Sequence, residues 1–399
     1  MKHKTFSRVF LIVLDSVGIG HASDASSFGD QGANTLQNID IAVGGLQLPN
    51  LASLGLGKLD NYIHVKPLDA SLPHYVARLA EKSVGKDTMT GHWEMMGLYI
   101  EQPFQTFTET GFPQELIDEI ERKTGRKVIG NKSASGTEII KELGEEQRNN
   151  GSIIVYTSAD SVLQIAAHEE TVSIEELYRI CEITREIMMK PEWKVGRIIA
   201  RPFVGSQAEG FTRTPRRHDY ALSPFADTYL DLLKSNGNDV ISIGKINDIF
   251  NGKGITQAFK SASNKIGMNQ TIELARQQFQ GLCFVNLVDF DMEYGHRRDS
   301  NGYGRALEEF DVQLGDLLAE LGPNDLLMIT ADHGNDPTYR GSDHTRENVP
   351  WIIHSPRLIG SDQLKNGDSF ADIGATIAAN FGLDTNHGLL GTSRLRDIK

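Results

Sequence analysis

The sequence predicts an α/β fold in which a doubly wound core is interrupted by a second domain. Apolar segments typical of buried parallel strands alternate with helical segments at both ends of the 399-residue chain, as in sheets covered by helices on both faces. The middle of the chain differs, with mixed short elements and concentrated arginine. We therefore expect a core formed by residues 1–102 and 223–399, and an inserted α+β cap domain at residues 103–222.

Composition argues against several classes of function. The formal net charge is −13, from 53 acidic and 40 basic residues, which disfavours nucleic-acid binding through a general positive field. No apolar run approaches the ~18 residues of a membrane span. Val9–Leu14 ends at Asp15 without a signal-peptide cleavage pattern. The two cysteines lack CxxC spacing, as expected for buried thiols in a reducing compartment. We expect a cytoplasmic protein that binds neither nucleic acid nor membrane.

The first predicted strand is the branched, apolar segment that starts at Arg8 and runs out at Asp15. A carboxylate here would lie at the carboxyl edge of the sheet, where α/β proteins bind ligands. An aspartate that caps a turn or helix is the better interpretation of Asp15 taken alone.

Residues 83–94 combine hydroxyls, charges, glycines and a tryptophan. One interpretation is a helix start capped by Asp87 or Thr88, which the segment by itself slightly favours. The other is a hydroxyl nucleophile activated by an adjacent metal ion.

The remaining segments supply the other predicted elements. The basic cluster Phe211–His218 has arginine forks that suit phosphate, although a solvated basic loop explains Arg216 and Arg217 equally well. We predict helices at 115–124, 173–189, 305–321 and 370–381, a helix that starts at Ser223–Pro224 and ends at Gly237, and strands at 152–160, 197–202, 239–245, 281–291, 326–330 and 349–353.

Several predicted core strands end in potential metal ligands. Six such side chains exceed the need of one tetrahedral site and suit two divalent ions with mixed oxygen and nitrogen ligands, such as Mn²⁺ or Zn²⁺. Paired metal ions recur in phosphoryl transfer, and a nearby threonine hydroxyl would become a competent nucleophile. The set comprises Asp15, Asp291, Asp332, His296, His333 and His344.

Segments spread through most of the chain match those of a known family. They are FLIVLDSVGIG, GKDTMTGHWEMMGLY, GNKSASGTEI, YTSADSVLQIAAHEE, VGRIIARPFVG, FTRTPRRHDYAL, IGKINDIF, NLVDFDMEYGHRRD, ITADHGNDP and SDHTRENVP. These segments resemble the bacterial phosphopentomutases, a family of the alkaline phosphatase superfamily. The resemblance implies an alkaline-phosphatase-like core and an isomerase that moves phosphate between the 1- and 5-positions of ribose or 2-deoxyribose, in nucleotide salvage.

The resemblance also implies roles for individual residues. Thr88 matches the threonine that becomes phosphorylated, rather than Thr90. Two Mn²⁺ ions are implied, one held by Asp15, Asp332 and His333 and the other by Asp291, His296 and His344. Phosphate and sugar contacts are implied for Arg197, Arg213, Lys245 and Asp160.

The family resemblance further implies a sugar bisphosphate such as glucose 1,6-bisphosphate as activator, pentose phosphates as the small-molecule partners, and a cap that closes over the sugar. We expect a monomer. The nearest alternative is a bimetal phosphoglycerate mutase or phosphatase of the same superfamily, although the former typically uses serine. A metal- or anion-binding protein without catalysis is a further alternative, which the intact Thr88 segment disfavours.

Overall fold

The structure is a computed structural model that describes residues 6–59, 65, 72–158, 161–341, 343–384 and 388–398. The chain divides into two compact units. The core unit contains Met1–Pro103 and Ser223–Lys399, and the inserted unit contains Phe104–Leu222. Among the helices of the described residues, none combines the length and the apolar character that crossing a membrane would require.

The strands are numbered in chain order, and the two strands beside β1 in the sheet lie far from it in the sequence. Their bounds are β1 Arg8–Leu14, β2 His74–Leu79, β3 Val128–Ser133, β4 Ile153–Thr157, β5 Val162–His168, β6 Arg197–Ser206, β7 Gly210–Arg213, β8 His218–Ala221, β9 Asp239–Ile243, β10 Gln257–Phe259, β11 Gly281–Leu287, β12 Asp325–Thr330, β13 Val349–His354 and β14 Ser361–Gln363.

The helices alternate with these strands, and a π-helical turn at Phe290–Gly295 follows β11. Short 3-10 turns occur at Leu56–Lys58 and Pro191–Trp193. The α-helices are α1 Ala25–Phe28, α2 Thr35–Val43, α3 Pro49–Ser53, α4 Thr88–Met95, α5 Gln114–Thr124, α6 Gly136–Asn150, α7 Ile174–Ile187, α8 Tyr229–Ser235, α9 Ile246–Ile249, α10 Asn264–Ala275, α11 Ser300–Glu320 and α12 Ala371–Asn380.

The described strands of the core unit form one eight-stranded sheet in the order β10-β9-β11-β1-β12-β13-β2-β14. β1 lies between β11 and β12, and both pairs are parallel. Leu14 pairs with Leu287 and Val13 pairs with Thr330, so these three strands end at nearly the same level. β13 runs antiparallel to β12 and β2, which makes the sheet mixed rather than wholly parallel.

Helices cover both faces of this sheet, as the predicted doubly wound architecture requires. Successive side chains of a strand point to opposite faces, so Phe284 and Leu287 of β11 lie on different sides. Phe284 contacts Phe250 at the end of α9, whereas Leu287 faces Gly267 of α10. The core strands β1 and β11–β13 are buried along their whole length, which explains their continuous apolar sequences.

The inserted unit is a smaller α/β layer structure with its own sheet. Its described strands are ordered β3-β4-β5-β6-β7, and β8 also pairs with β6. Ile153 and Val155 of β4 pack in one apolar cluster with residues of α5 and α7. Ile154 and Tyr156 point to the opposite face and pack with Ile139 of α6. Each face of this sheet therefore has its own small core.

Several sequence-predicted boundaries differ from the structure. The strand predicted at 281–291 ends at Leu287, because the chain turns into the π-helical turn Phe290–Gly295 that contains Asp291. The helix expected to start at Ser223–Pro224 begins only at Tyr229 and ends at Ser235. Thr228 caps it, because its side chain and that of Asp231 form a reciprocal capping box. The prediction from Ser-Pro was wrong because this stronger cap lies five residues later. β6 extends to Ser206 and α11 starts at Ser300, so both are longer than predicted.

A buried ion pair joins the start of β1 to the start of β12. The Arg8 guanidinium donates from Nε and Nη2 to Asp325 at 2.7 and 2.6 Å, and its side chain is 11% exposed. Removal of Arg8 would leave a buried carboxylate without its cation, which costs about 3–5 kcal/mol.

We predict that Arg8→Met lowers the free energy of unfolding by about 3–5 kcal/mol, measured by denaturant titration. The matched control is Arg122→Ala, because the Arg122–Glu119 pair is exposed, with 66% of the arginine side chain accessible. That pair should contribute at most about 1 kcal/mol. Equal losses for the two variants would contradict the assignment of Arg8 as a buried structural cation.

Candidate metal centre

Three adjacent parallel strands carry the three aspartates to one place. Asp15 directly follows β1, Asp332 follows β12 by two residues, and Asp291 lies in the turn after β11. All three carboxylates are buried, with residue exposures of 1%, 0% and 7% in that order. Parallel alignment of the strand ends explains why residues so far apart in sequence meet at the carboxyl edge.

The π-helical turn after β11 brings His296 back to Asp291. The amide of His296 donates to the carbonyl of Asp291 at 2.9 Å, a spacing of five residues that widens the turn. The Nε2 atom of His296 lies 3.1 Å from Asp291 Oδ2. The weak Asp-x4-His spacing in the sequence thus corresponds to a real contact in space.

The histidines join the aspartates in two overlapping groups. In each group the candidate ligand atoms all lie within 4.8 Å of one another, and His333 belongs to both. His296 adjoins the second group, because its Nε2 is 3.2 Å from His344 Nε2. The groups are Asp15, Asp332 and His333, and Asp291, His333 and His344. The six predicted side chains therefore form one continuous cluster.

Two imidazole rings are oriented by backbone carbonyls. His333 Nδ1 lies 3.1 Å from the Gly334 oxygen, and His344 Nδ1 lies 2.8 Å from the Lys86 oxygen. A carbonyl can only accept, so Nδ1 carries the proton in each ring and Nε2 presents its lone pair. This is the arrangement in which metal-binding histidines are usually held.

Amide groups orient the carboxylates in a similar way. Asn286 Nδ2 donates to Asp15 Oδ2 at 2.8 Å, the Ser16 amide donates to Asp332 Oδ1 at 3.0 Å, and Asn335 Nδ2 donates to Asp291 Oδ1 at 2.7 Å. Within the part of the chain that the structure describes, Asp15 Oδ1 and Asp332 Oδ2 are buried without a hydrogen-bond partner. Buried carboxylate oxygens without donors are costly, and a bound cation would satisfy them.

The carboxylates also perturb one another. Burial, followed by the charges of Asp332 and Asp291, raises the pKa of Asp15 well above its ordinary value. Burial also opposes ionisation of Asp291, but the nearby His344 and His296 outweigh it and lower its pKa well below the ordinary value. Burial lowers the pKa of His333, which favours the neutral ring that a metal requires. The donor set and its electrostatics therefore fit divalent cations.

The chain after β1 adopts a constrained turn to reach this cluster. Ser16 has a φ of +71°, a left-handed conformation that costs a non-glycine residue about 1–3 kcal/mol. Its hydroxyl lies 2.9 Å from the Tyr303 hydroxyl, and its amide binds Asp332 as described above. These two contacts hold the strained residue in place.

Helix α4 places a hydroxyl beside the histidine shared by the two groups. Asp87 caps the helix by accepting from the amides of Met89 and Thr90, and its Oδ2 also accepts from Thr90 Oγ1 at 2.5 Å. The Thr90 hydroxyl is thus engaged and fully buried. Thr88 Oγ1 instead lies 3.2 Å from His333 Nε2. The helix-start and nucleophile interpretations of residues 83–94 are therefore compatible with each other.

A buried network holds the loop that precedes Thr88. Arg346 is 2% exposed, binds Glu81 Oε2 at 2.6 Å and donates to the carbonyls of Glu81 and Gly85. Lys86 Nζ contacts Asp30 and Asp343, each at 3.0 Å. Both cations thereby connect the Thr88 loop to the segment that carries His344.

Of the described residues predicted to bind phosphate, Lys245 belongs to the core unit, and Arg197 and Arg213 belong to the inserted unit. Lys245 follows β9. Burial has the largest effect on the pKa of Asp15 and raises it, whereas the positive charge of Lys245 acts in the opposite direction and favours the ionised carboxylate. Arg197 is the first residue of β6. Arg213 lies in β7 and pairs with Phe203, which is six residues after Arg197 in β6. About 20 Å of strand separates these two arginines, so they are not neighbours in the inserted unit. Asp160 lies outside the described residues.

Sequence reasoning did not assign the groups that support the site. Asn286 was detectable as a polar residue inside the apolar strand β11, since buried polar side chains need partners. His92, whose Nδ1 lies 3.2 Å from Asp332 Oδ2, was detectable because it follows Thr88 by four residues, a spacing that places two helical side chains on one face. Asn335 and Arg346 gave no such signal, because their roles depend on contacts with distant segments.

Comparison with known proteins identifies relatives along almost the whole chain. A profile described as the metalloenzyme superfamily matches residues 7–385. The chain is 57% identical to a phosphopentomutase of Clostridium beijerinckii over 395 residues, covering 99% of this chain and 100% of the relative. It is 56% identical to a phosphopentomutase of Clostridium tetani over 397 residues, with coverage of 99% and 100%.

The fold also resembles that of a solved enzyme with little sequence similarity. A crystal structure of Leishmania mexicana phosphoglycerate mutase, determined at low cobalt concentration, matches with a TM-score of 0.50 and 11% identity, covering 98% of each chain. At this level of identity the similarity concerns the fold alone.

Proposed function

The chain belongs to the phosphopentomutase family of the metalloenzyme superfamily, and we propose that it works through a phosphothreonine formed at Thr88. As a phosphopentomutase it is an isomerase, an intramolecular phosphotransferase. Its proposed reaction interconverts the 1- and 5-phosphates of ribose or 2-deoxyribose. The observation that carries the proposed mechanism is the Thr88 hydroxyl, which lies 3.2 Å from His333 Nε2 in the cluster of buried carboxylates and imidazoles.

We assign the cluster to two Mn²⁺ ions, following the expectation from the sequence. Asp15, Asp332 and His333 would hold one ion, and Asp291, His296 and His344 the other. Support comes from the unpartnered Asp15 Oδ1 and Asp332 Oδ2 and from rings that present Nε2. When bound, such ions would lower the pKa of the nucleophilic hydroxyl and stabilise negative charge on the transferring phosphoryl group.

The residues around Thr88 favour a phosphoryl group at its hydroxyl. Thr88 is the first residue of α4, where the positive end of the helix dipole attracts negative charge. Asp87 accepts hydrogen bonds from the amides of Met89 and Thr90 and from the hydroxyl of Thr90. The Thr88 hydroxyl is therefore the one in this turn that we expect to accept the phosphoryl group.

The proposed reaction proceeds through two phosphoryl transfers. The sugar hydroxyl attacks phospho-Thr88, so that a sugar O–P bond forms and the Thr88 Oγ1–P bond breaks. Thr88 Oγ1 leaves with the bonding electron pair, and the proton of the sugar hydroxyl ends on this oxygen. The resulting sugar bisphosphate reorients, and Thr88 Oγ1 attacks its other phosphate while the sugar oxygen regains a proton. Water must be excluded, because it would otherwise hydrolyse phospho-Thr88.

Thr88 must receive a phosphoryl group before the first turnover. Glucose 1,6-bisphosphate or a similar sugar bisphosphate would first phosphorylate Thr88. Phosphate contacts by Arg197, Arg213 and Lys245, and a sugar contact by Asp160, stay predictions from the family resemblance. Because about 20 Å of strand separates Arg197 from the position paired with Arg213, we do not assign these two arginines to the same phosphate group. We also propose that the chain acts as a monomer in the cytoplasm.

We predict that Thr88→Ala abolishes turnover of ribose 5-phosphate, with a loss of at least about 1,000-fold in kcat. Intact-protein mass spectrometry after treatment with glucose 1,6-bisphosphate should show one added phosphate on the wild-type chain and none on the variant. The matched control is Thr90→Ala, which should still accept one phosphate. Phosphate on the Thr88→Ala chain, or its absence from the control, would contradict the choice of nucleophile.

Removal of one carboxylate tests the metal assignment. We predict that Asp332→Ala binds at least one Mn²⁺ ion fewer per chain, measured by elemental analysis after dialysis. The ion stabilises only the folded state to which it binds, so added Mn²⁺ should raise the unfolding temperature less for this variant than for wild type. The exposed Asp316→Ala serves as control. Wild-type Mn²⁺ content in Asp332→Ala would refute the assignment.

A further inference from the structure

His92 occupies a position between the nucleophile and the candidate metal site. It lies in α4, four residues after Thr88, and is fully buried. Its Nδ1 lies 2.8 Å from the Thr88 carbonyl oxygen and 3.2 Å from Asp332 Oδ2. Both neighbours are acceptors, so Nδ1 must carry the proton of the ring.

The two contacts are not equivalent. The N–H group is aligned with the Thr88 carbonyl, while Asp332 Oδ2 keeps no aligned donor among the described residues. The N–H nevertheless places a partial positive charge next to this oxygen. Burial opposes ionisation of Asp332, but the interactions with His333 and then His92 outweigh it and lower the pKa of this carboxyl. Without the N–H, a carbonyl oxygen and a carboxylate would face each other in a buried space with no donor from His92 between them.

Backbone packing at the neighbouring residue reinforces this contact. A Cβ atom at Gly91 would collide with the carbonyl oxygen of Asp332, so only glycine allows α4 to approach so closely. On its other side the His92 ring packs against Phe284, with ring centroids 5.8 Å apart. The ring is therefore fixed between the sheet and the first turn of α4.

We propose that His92 is a positioning residue whose Nδ1–H sets the separation between the Thr88 turn and the Asp332 carboxylate. This inference rests on the proposed function, in which Thr88 is the nucleophile and Asp332 a metal ligand. His92 itself touches neither the reacting atoms nor the sugar in this account. Its effect should thus appear in the rate of phosphoryl transfer and in Mn²⁺ affinity, and only weakly in the KM for the sugar phosphate.

Two amide substitutions test whether the Nδ1–H group of His92, and not the rest of the ring, is required. In His92→Asn the side-chain nitrogen takes the place of Nδ1, whereas in His92→Gln it takes the place of Nε2. Both variants are polar and of similar size, so both should have similar unfolding temperatures in the presence of a chelator. We would measure kcat and KM for ribose 5-phosphate and the dissociation constant of Mn²⁺ by calorimetric titration of the full chain.

Supporting residues of metal sites typically contribute about 10- to 100-fold. We expect His92→Gln to lower kcat and Mn²⁺ affinity by about that factor with little change in KM, and His92→Asn to stay within about 3-fold of wild type. Equal behaviour of the two variants would overturn the proposal, whether both are active or both impaired. If His92→Gln does not fold, a folded His92→Asn with a loss of about 10-fold or more overturns it alone.

The Mn²⁺ titration keeps this test independent of the reaction. If the wild-type chain turned over no pentose phosphate, the proposed function would have failed, yet the difference in Mn²⁺ affinity between the two variants would still decide the role of His92. If turnover is normal and the Mn²⁺ affinities of wild type and His92→Gln are equal, the proposed function stands and the role of His92 is refuted.

Discussion

Asp15, Asp332 and Asp291 lie together in a part of the core unit that water hardly reaches. Three carboxylates in such a place lose their hydration and repel one another. The pKa of Asp15 is raised for these two reasons. Sheet geometry imposes the arrangement, since β1, β11 and β12 are adjacent and end at the same level. The fold thus concentrates negative charge in a buried place, and two bound divalent cations would neutralise it.

The surrounding side chains hold this cluster in a form ready for cations. Asn286 and Asn335 occupy one oxygen of their aspartates, and backbone carbonyls fix the tautomers of His333 and His344. The Lys86 carbonyl that orients His344 belongs to the loop preceding Thr88. Thr88, the proposed nucleophile, and the candidate ligands are therefore parts of one hydrogen-bonded structure, so a displacement of α4 would disturb both.

The sequence was most informative where one local pattern determined the structure. Continuous apolar segments ending in acids predicted β1, β11 and β12, and the ends of these strands brought the aspartates into one cluster. Local patterns failed where partners were distant or competing, as for the helix predicted at Ser223, where a stronger cap at Thr228 prevailed. The antiparallel direction of β13 and the contacts of Arg346 depend on segments far apart in the chain, which no local pattern encodes.

The central claim is that the phosphoryl group on Thr88 passes to the pentose and not to water. It is tested most directly by labelling Thr88 with radioactive phosphate, removing the donor, and adding unlabelled ribose 5-phosphate in a rapid-quench experiment. We expect the label to appear first in a ribose bisphosphate and then in ribose monophosphate, at a rate no slower than turnover. Label that stays on the protein, or that leaves chiefly as inorganic phosphate, would contradict the account.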